Sequence, residues 1–153
     1  MSTTLTRRRQ VSRATPLALT VLAVLASVAA AATTTGSSAP DILVGTPAAD
    51  TIRGRGANDA VYGKAGNDRI FGGAGNDALS GGAGADEIEG GSGNDQIVGG
   101  SGSDTIDGGG GNDTINVVDG DMDWVTCGGG TDAVTADRFD VIVDLACEKV
   151  QRA

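Results

Sequence analysis

The sequence predicts an all-β chain wound into stacked coils, a β-solenoid, and three regularities predict it. Eight aspartates, Asp50, Asp59, Asp68, Asp77, Asp86, Asp95, Asp104 and Asp113, fall nine residues apart without a slip. Two positions after each stands an aliphatic residue: Ile52, Val61, Ile70, Leu79, Ile88, Ile97, Ile106 and Ile115. Before each aspartate lies a glycine-dense turn, most regular in Gly72-Gly73-Ala74-Gly75-Asn76-Asp77 and Gly90-Gly91-Ser92-Gly93-Asn94-Asp95. Units of this kind cannot bury an apolar face alone, so they bury it by stacking.

Composition makes the period more telling. Aromatics make up 3% of the 153 residues and glycine contributes 26, so few large side chains are available for a conventional core. Glycine also raises the backbone entropy lost on ordering. Such a chain borders on the disordered class unless something besides apolar burial stabilises it.

The first residues predict an export signal. Arg7, Arg8, Arg9 and Arg13 precede an uncharged apolar run, Leu17 to Ala32, that ends in the cleavage pattern Ala30-Ala31-Ala32. The run has 16 residues, short of the ~20 that a spanning helix needs, so a retained membrane anchor is disfavoured. Arg8-Arg9 loosely fits a twin-arginine signal, and the general secretory route fits equally well. The expectation is a secreted, extracellular chain with no integral membrane segment after cleavage. Residues 1–32 hold four basic and no acidic residues, so cleavage leaves 7 basic against 20 acidic, a net charge of −13. That charge excludes nucleic acid as a natural partner and favours cations.

Residues 33–44 read as a small, polar linker followed by a lead-in strand at Asp41-Ile42-Leu43-Val44, which already has the repeat phase. The array proper spans 45–116, eight nonapeptides. Its first two units are degenerate, and the third carries Lys64 in place of the second glycine. After Asn116 the register slips by one residue, and Asp123-Val125 and Asp132-Val134 resume the spacing without paired glycines. Residues 117–153 are expected to cap the open end of the stack. Cys127 and Cys147, in a chain headed for an oxidising place, are expected to form a disulfide within that cap.

The pattern G-G-x-G-x-D-x-U-x, with U a large apolar residue, resembles the RTX, or haemolysin-type, calcium-binding repeat family, and the resemblance covers 72 residues. It implies a parallel β-roll in which two nonapeptides make one coil and calcium sits between successive turns. The residue chemistry agrees. Calcium takes six to eight oxygens at about 2.3–2.6 Å, and a turn with one Asp and freed carbonyls supplies part of such a shell. Residues eighteen apart then form two columns, Asp50-Asp68-Asp86-Asp104 and Asp59-Asp77-Asp95-Asp113, with three gaps in each. The candidate ligands are Asp68, Asp77, Asp86, Asp95, Asp104 and Asp113, with Asp50 and Asp59 weaker because their units are degenerate. Turn residues Gly72, Ala74, Gly81, Ala83, Gly90, Ser92, Gly99, Ser101, Gly108 and Gly110 are the candidates from the backbone. Glu87, Glu89 and Asp107 fall outside the turns and read as solvated strand faces.

Other chemistries fail. An EF-hand loop starting at Asp119 would need Gly and Glu where Trp124 and Gly130 stand. The glycine pairs lack the Lys-Ser/Thr of a phosphate-binding loop. No histidine is present, which removes the usual general base and zinc ligand, and no Gly-x-Ser-x-Gly occurs. The expected function is a secreted, non-catalytic calcium-binding repeat protein that folds on calcium (Ca2+). The alternatives are a calcium-dependent adhesion or matrix module contacting cell surfaces, and, further off, the remnant of a secreted hydrolase or toxin.

Overall fold

The strands recur as evenly as the sequence does. A computed structural model describes residues 30–143 and 146–153. The export segment expected at the N-terminus lies almost wholly outside these residues. The strands are β1 (Thr33–Thr35), β2 (Ile42–Val44), β3 (Thr51–Gly56), β4 (Ala60–Ala65), β5 (Arg69–Ala74), β6 (Ala78–Ala83), β7 (Glu87–Ser92), β8 (Gln96–Ser101), β9 (Thr105–Gly110), β10 (Thr114–Val117), β11 (Trp124–Thr126), β12 (Ala133–Ala136), β13 (Val141–Ile142) and β14 (Lys149–Arg152). Odd-numbered strands form one seven-stranded sheet and even-numbered strands the other, so the chain alternates sheets at every turn. Every pairing is parallel, between strands two apart. The fold is the all-β parallel β-roll that the repeat implies.

The stacking repeat fixes the core. Ile52 pairs with Ile70, Ile70 with Ile88, and Ile88 with Ile106 in one sheet. Val61, Leu79, Ile97 and Ile115 stack likewise in the other. These eight side chains are at most 2% exposed, and burying each contributes roughly 1.5–3 kcal/mol. A strand's side chains alternate between faces, so the same phase sends Glu87, Glu89 and Asp107 outward as expected. Glu87 there accepts a bond from Arg69 Nε at 2.8 Å, and Arg53 lies over the Phe71 ring.

Both ends of the roll run further than the array. Thr33–Thr35, expected within a linker, form β1 and pair with β3, because Thr33 stands eighteen before Thr51 and so keeps the register. Beyond Asn116 the extra residue is absorbed in the turn before β11, so that Ile106 pairs with Val125 nineteen residues on. Beyond the array, β11 and β13 extend one sheet and β12 and β14 the other. The expected Cys127–Cys147 disulfide is present there, with Cα atoms 5.4 Å apart.

Glycine decides the turns. Gly73 and Gly82 hold φ of 110° and 116°, and a Cβ on either would collide with the backbone of the coil before. Arg55 and Lys64 occupy the equivalent positions one coil earlier, each at φ 87°, a conformation that costs a side chain of order 1 kcal/mol or more.

Candidate metal centre

Each aspartate of the repeat ends its turn facing inward, and backbone amides tie the aspartates into two columns. In one, Asp50 N–H donates to Asp68 Oδ1 (2.7 Å), Asp68 to Asp86 (2.8 Å), Asp86 to Asp104 (2.9 Å) and Asp104 to Asp123 (2.8 Å). In the other, Asp59 donates to Asp77 (2.8 Å), Asp77 to Asp95 (2.8 Å), Asp95 to Asp113 (2.8 Å) and Asp113 to Asp132 (2.7 Å). One carboxylate oxygen per residue is thereby satisfied.

The second oxygen is not. Oδ2 of Asp59, Asp68, Asp77, Asp86, Asp95, Asp104, Asp113, Asp123 and Asp132 is buried without a hydrogen-bond partner. All nine residues are at most 3% exposed. A buried polar atom is ordinarily paired, and a buried charge must be, so a file of orphaned carboxylate oxygens demands a cation or a proton. Burial pushes the carboxyls of Asp68, Asp77, Asp86 and Asp113 above the usual range, and Asp95 and Asp123 up to about 6. Asp104 rises to about 7, through burial first and then the charges of Asp86, Asp123 and Asp119.

The first glycine of each turn leaves these oxygens room. A Cβ on Gly72 would lie 2.5 Å from both Asp77 Oδ2 and the Gly90 carbonyl oxygen. Gly81 faces Asp86 Oδ2 and the Gly99 carbonyl, Gly90 faces Asp95 and Gly108, and Gly108 faces Asp113 and the Cys127 carbonyl. Gly99 faces Asp104 Oδ2. A carboxylate and a carbonyl from the next coil thus crowd one bare Cα. These turns offer an ion a carboxylate oxygen together with backbone carbonyl oxygen. That donor set suits a hard, oxygen-seeking cation such as calcium and not zinc.

The remaining expected residues are placed differently. Ala74, Ala83, Ser92, Ser101 and Gly110 end their strands at the exposed rim. The carbonyls of Ala83, Ser92, Ser101 and Gly110 already accept N–H bonds from Gly66, Gly75, Gly84 and Gly93 one coil earlier. Asp50 departs too. Burial alone would raise its carboxyl, but bonds from Thr46 and Ala32 outweigh burial and hold it below the usual range.

Two features escaped the candidate set. Asp123 and Asp132 continue the columns, and their nine-residue spacing was visible after the one-residue slip. An asparagine ladder also runs along one rim: Asn76 N–H donates to Asn58 Oδ1, Asn94 to Asn76 and Asn112 to Asn94, at 2.7–2.8 Å. Asparagines eighteen apart at 58, 76, 94 and 112 are its signal in the sequence.

A parallel β-roll with columns of buried, unpaired carboxylate oxygens at glycine turns defines a calcium-binding repeat protein. The RTX calcium-binding nonapeptide repeat, in four copies, matches residues 35–70, 57–88 and 89–121, more than half of the chain. The chain belongs to this family, and calcium is the ion its repeats bind. No curated protein and no solved structure matches the chain.

Proposed function

We propose that the protein is a secreted, non-catalytic calcium-binding module whose roll folds when calcium enters the two columns. The observation that carries this reading is the file of orphaned Oδ2 atoms from Asp59 to Asp132. Calcium bound there supplies the positive charge that these oxygens lack. The carboxylates of Asp68, Asp77, Asp86, Asp95, Asp104 and Asp113 would hold it, with carbonyl oxygens such as those of Gly90, Gly99 and Gly108 beside them. Without ions, like charges stacked at the ~4.8 Å strand spacing oppose one another, and an aliphatic core two side chains wide has little to set against them.

A non-catalytic role is supported by the absence of histidine from the sequence. Secretion is supported by the basic-then-apolar N-terminus and by the cysteine pairing. Among the described residues no helix is long and apolar enough to cross a membrane. Equilibrium dialysis of the chain against calcium tests the binding. Several ions per chain are expected, and none at millimolar calcium would overturn the proposal.

A further inference from the structure

The first two turns of the roll are built unlike the rest. In the regular turns the strand runs on through both glycines, as β5 does to Ala74 and β7 to Ser92. β1 and β2 stop earlier, at Thr35 and Val44, and Gly36-Ser37 and Gly45-Thr46 then turn sharply back on the aspartate that follows. Ser37 N–H and Oγ–H both donate to Asp41 Oδ2, at 2.6 and 2.9 Å. Thr46 N–H donates to Asp50 Oδ2 at 2.5 Å, and its hydroxyl to Asp50 Oδ1 at 3.0 Å. Thr46 alone therefore reaches both oxygens of Asp50, whether or not Ala32 remains to add its own amide.

The contrast with the other turns is sharp. Asp41 and Asp50 are missing from the run of buried aspartates whose Oδ2 has no partner, a run that begins at Asp59. Lys64, in the turn stacked on 45–50, adds positive charge that favours the Asp50 carboxylate. Asp50 already has donors on both oxygens and Asp41 has two on Oδ2, so each must give up such bonds to bind an ion.

We propose that the Asp41 and Asp50 turns take no calcium, Ser37 and Thr46 supplying the positive ends that ions supply further along. The roll thus begins with two turns whose Oδ2 atoms already have donors, and the calcium-loaded coils stack upon their edge. The first filled gap in that column is then Asp68 to Asp86. The inference rests on the calcium reading above and narrows it to particular turns.

Counting bound calcium by equilibrium dialysis, on chains shown by circular dichroism to be folded in calcium, tests it. Asp50→Asn is expected to bind as many ions as the unaltered chain, while Asp86→Asn loses at least one. Loss of an ion from Asp50→Asn overturns the inference and leaves the calcium reading standing. Absence of bound calcium in the unaltered chain takes both down. Should Asp50→Asn fail to fold, Asp41→Asn replaces it, since the inference places no ion at that turn either. An unchanged count in Asp41→Asn supports the inference, and loss of an ion overturns it.

Discussion

Replacing Asp104 by asparagine should change the sign of its effect when calcium is removed. Asp104 is wholly buried, its Oδ1 accepts the Asp86 amide at 2.9 Å, and its Oδ2 has no partner. Its carboxyl is pushed up to about 7 from 3.8. A rise of about three units corresponds to ~4 kcal/mol of penalty on the charged form at 1.36 kcal/mol per unit. Water reaching the rim of the turn screens part of that, which leaves roughly 2 kcal/mol. The substituted amide would keep the acceptor for Asp86, place a donor where the orphaned oxygen was, and remove the charge. In chelator at about pH 8, Asp104→Asn should therefore favour the roll by ~2 kcal/mol, seen as more strand signal in circular dichroism. In millimolar calcium the same change removes an anionic ligand. The calcium concentration at mid-folding should then rise about tenfold or more, ~1.4 kcal/mol. Destabilisation of the same size in both conditions would refute the reasoning, because it would mean that the carboxylate is needed for packing and not for an ion.

Three further outcomes are expected. Without metal, the raised carboxyls of Asp95, Asp104 and Asp123 bind protons more tightly folded than unfolded, so the stability they confer is present at about pH 4 and lost as pH rises through 6 to 7. Strand content in chelator that climbs from about pH 4 to 7 in circular dichroism would contradict this. Ile88→Ala should cost about 2–5 kcal/mol in calcium, since Ile88 is 1% exposed and stacked between Ile70 and Ile106. Chemical denaturation checks it, and a loss below ~1 kcal/mol would show that the coils pack loosely. Reducing the Cys127–Cys147 bridge should loosen 117–153 and lower the melting temperature, with a loss of up to ~3 kcal/mol for a 20-residue loop, while the calcium count holds. Release of most bound calcium on reduction would refute that separation.

How much of this was legible follows from where the period holds. Between Asp59 and Asp113 the nine-residue phase gives strand, inward aliphatic and inward carboxylate together, because each glycine turn has the same length and can return the chain only one way. The eighteen-residue stack, and so the pairing of Ile70 with Ile88, follows from two turns per coil. What escaped lies where side chains replace glycines or where a residue is added. The strand at Thr33–Thr35 was hidden because its residues are small and polar, and only its register with Thr51 marks it. The Thr46 bonds to Asp50 depend on a turn that closes four residues apart, which no repeat pattern encodes. The columns continue through Asp123 and Asp132 because the added residue falls in the exposed stretch 118–122 and leaves the inward face undisturbed. The bonds that the Ser92 and Ser101 carbonyls accept from Gly75 and Gly84 were not legible either, since composition does not reveal which amides face them.

The most direct test is to follow strand content and calcium uptake together on one sample. Circular dichroism and isothermal calorimetry of the chain from residue 33 onward, titrated from excess chelator to millimolar calcium at neutral pH, supply both. The expected result is a largely unfolded chain in chelator that gains parallel-sheet signal in step with the binding of several ions. Strand content that is already complete in chelator, or that stays flat while calcium rises, would contradict the coupling of the carboxylate columns to the fold.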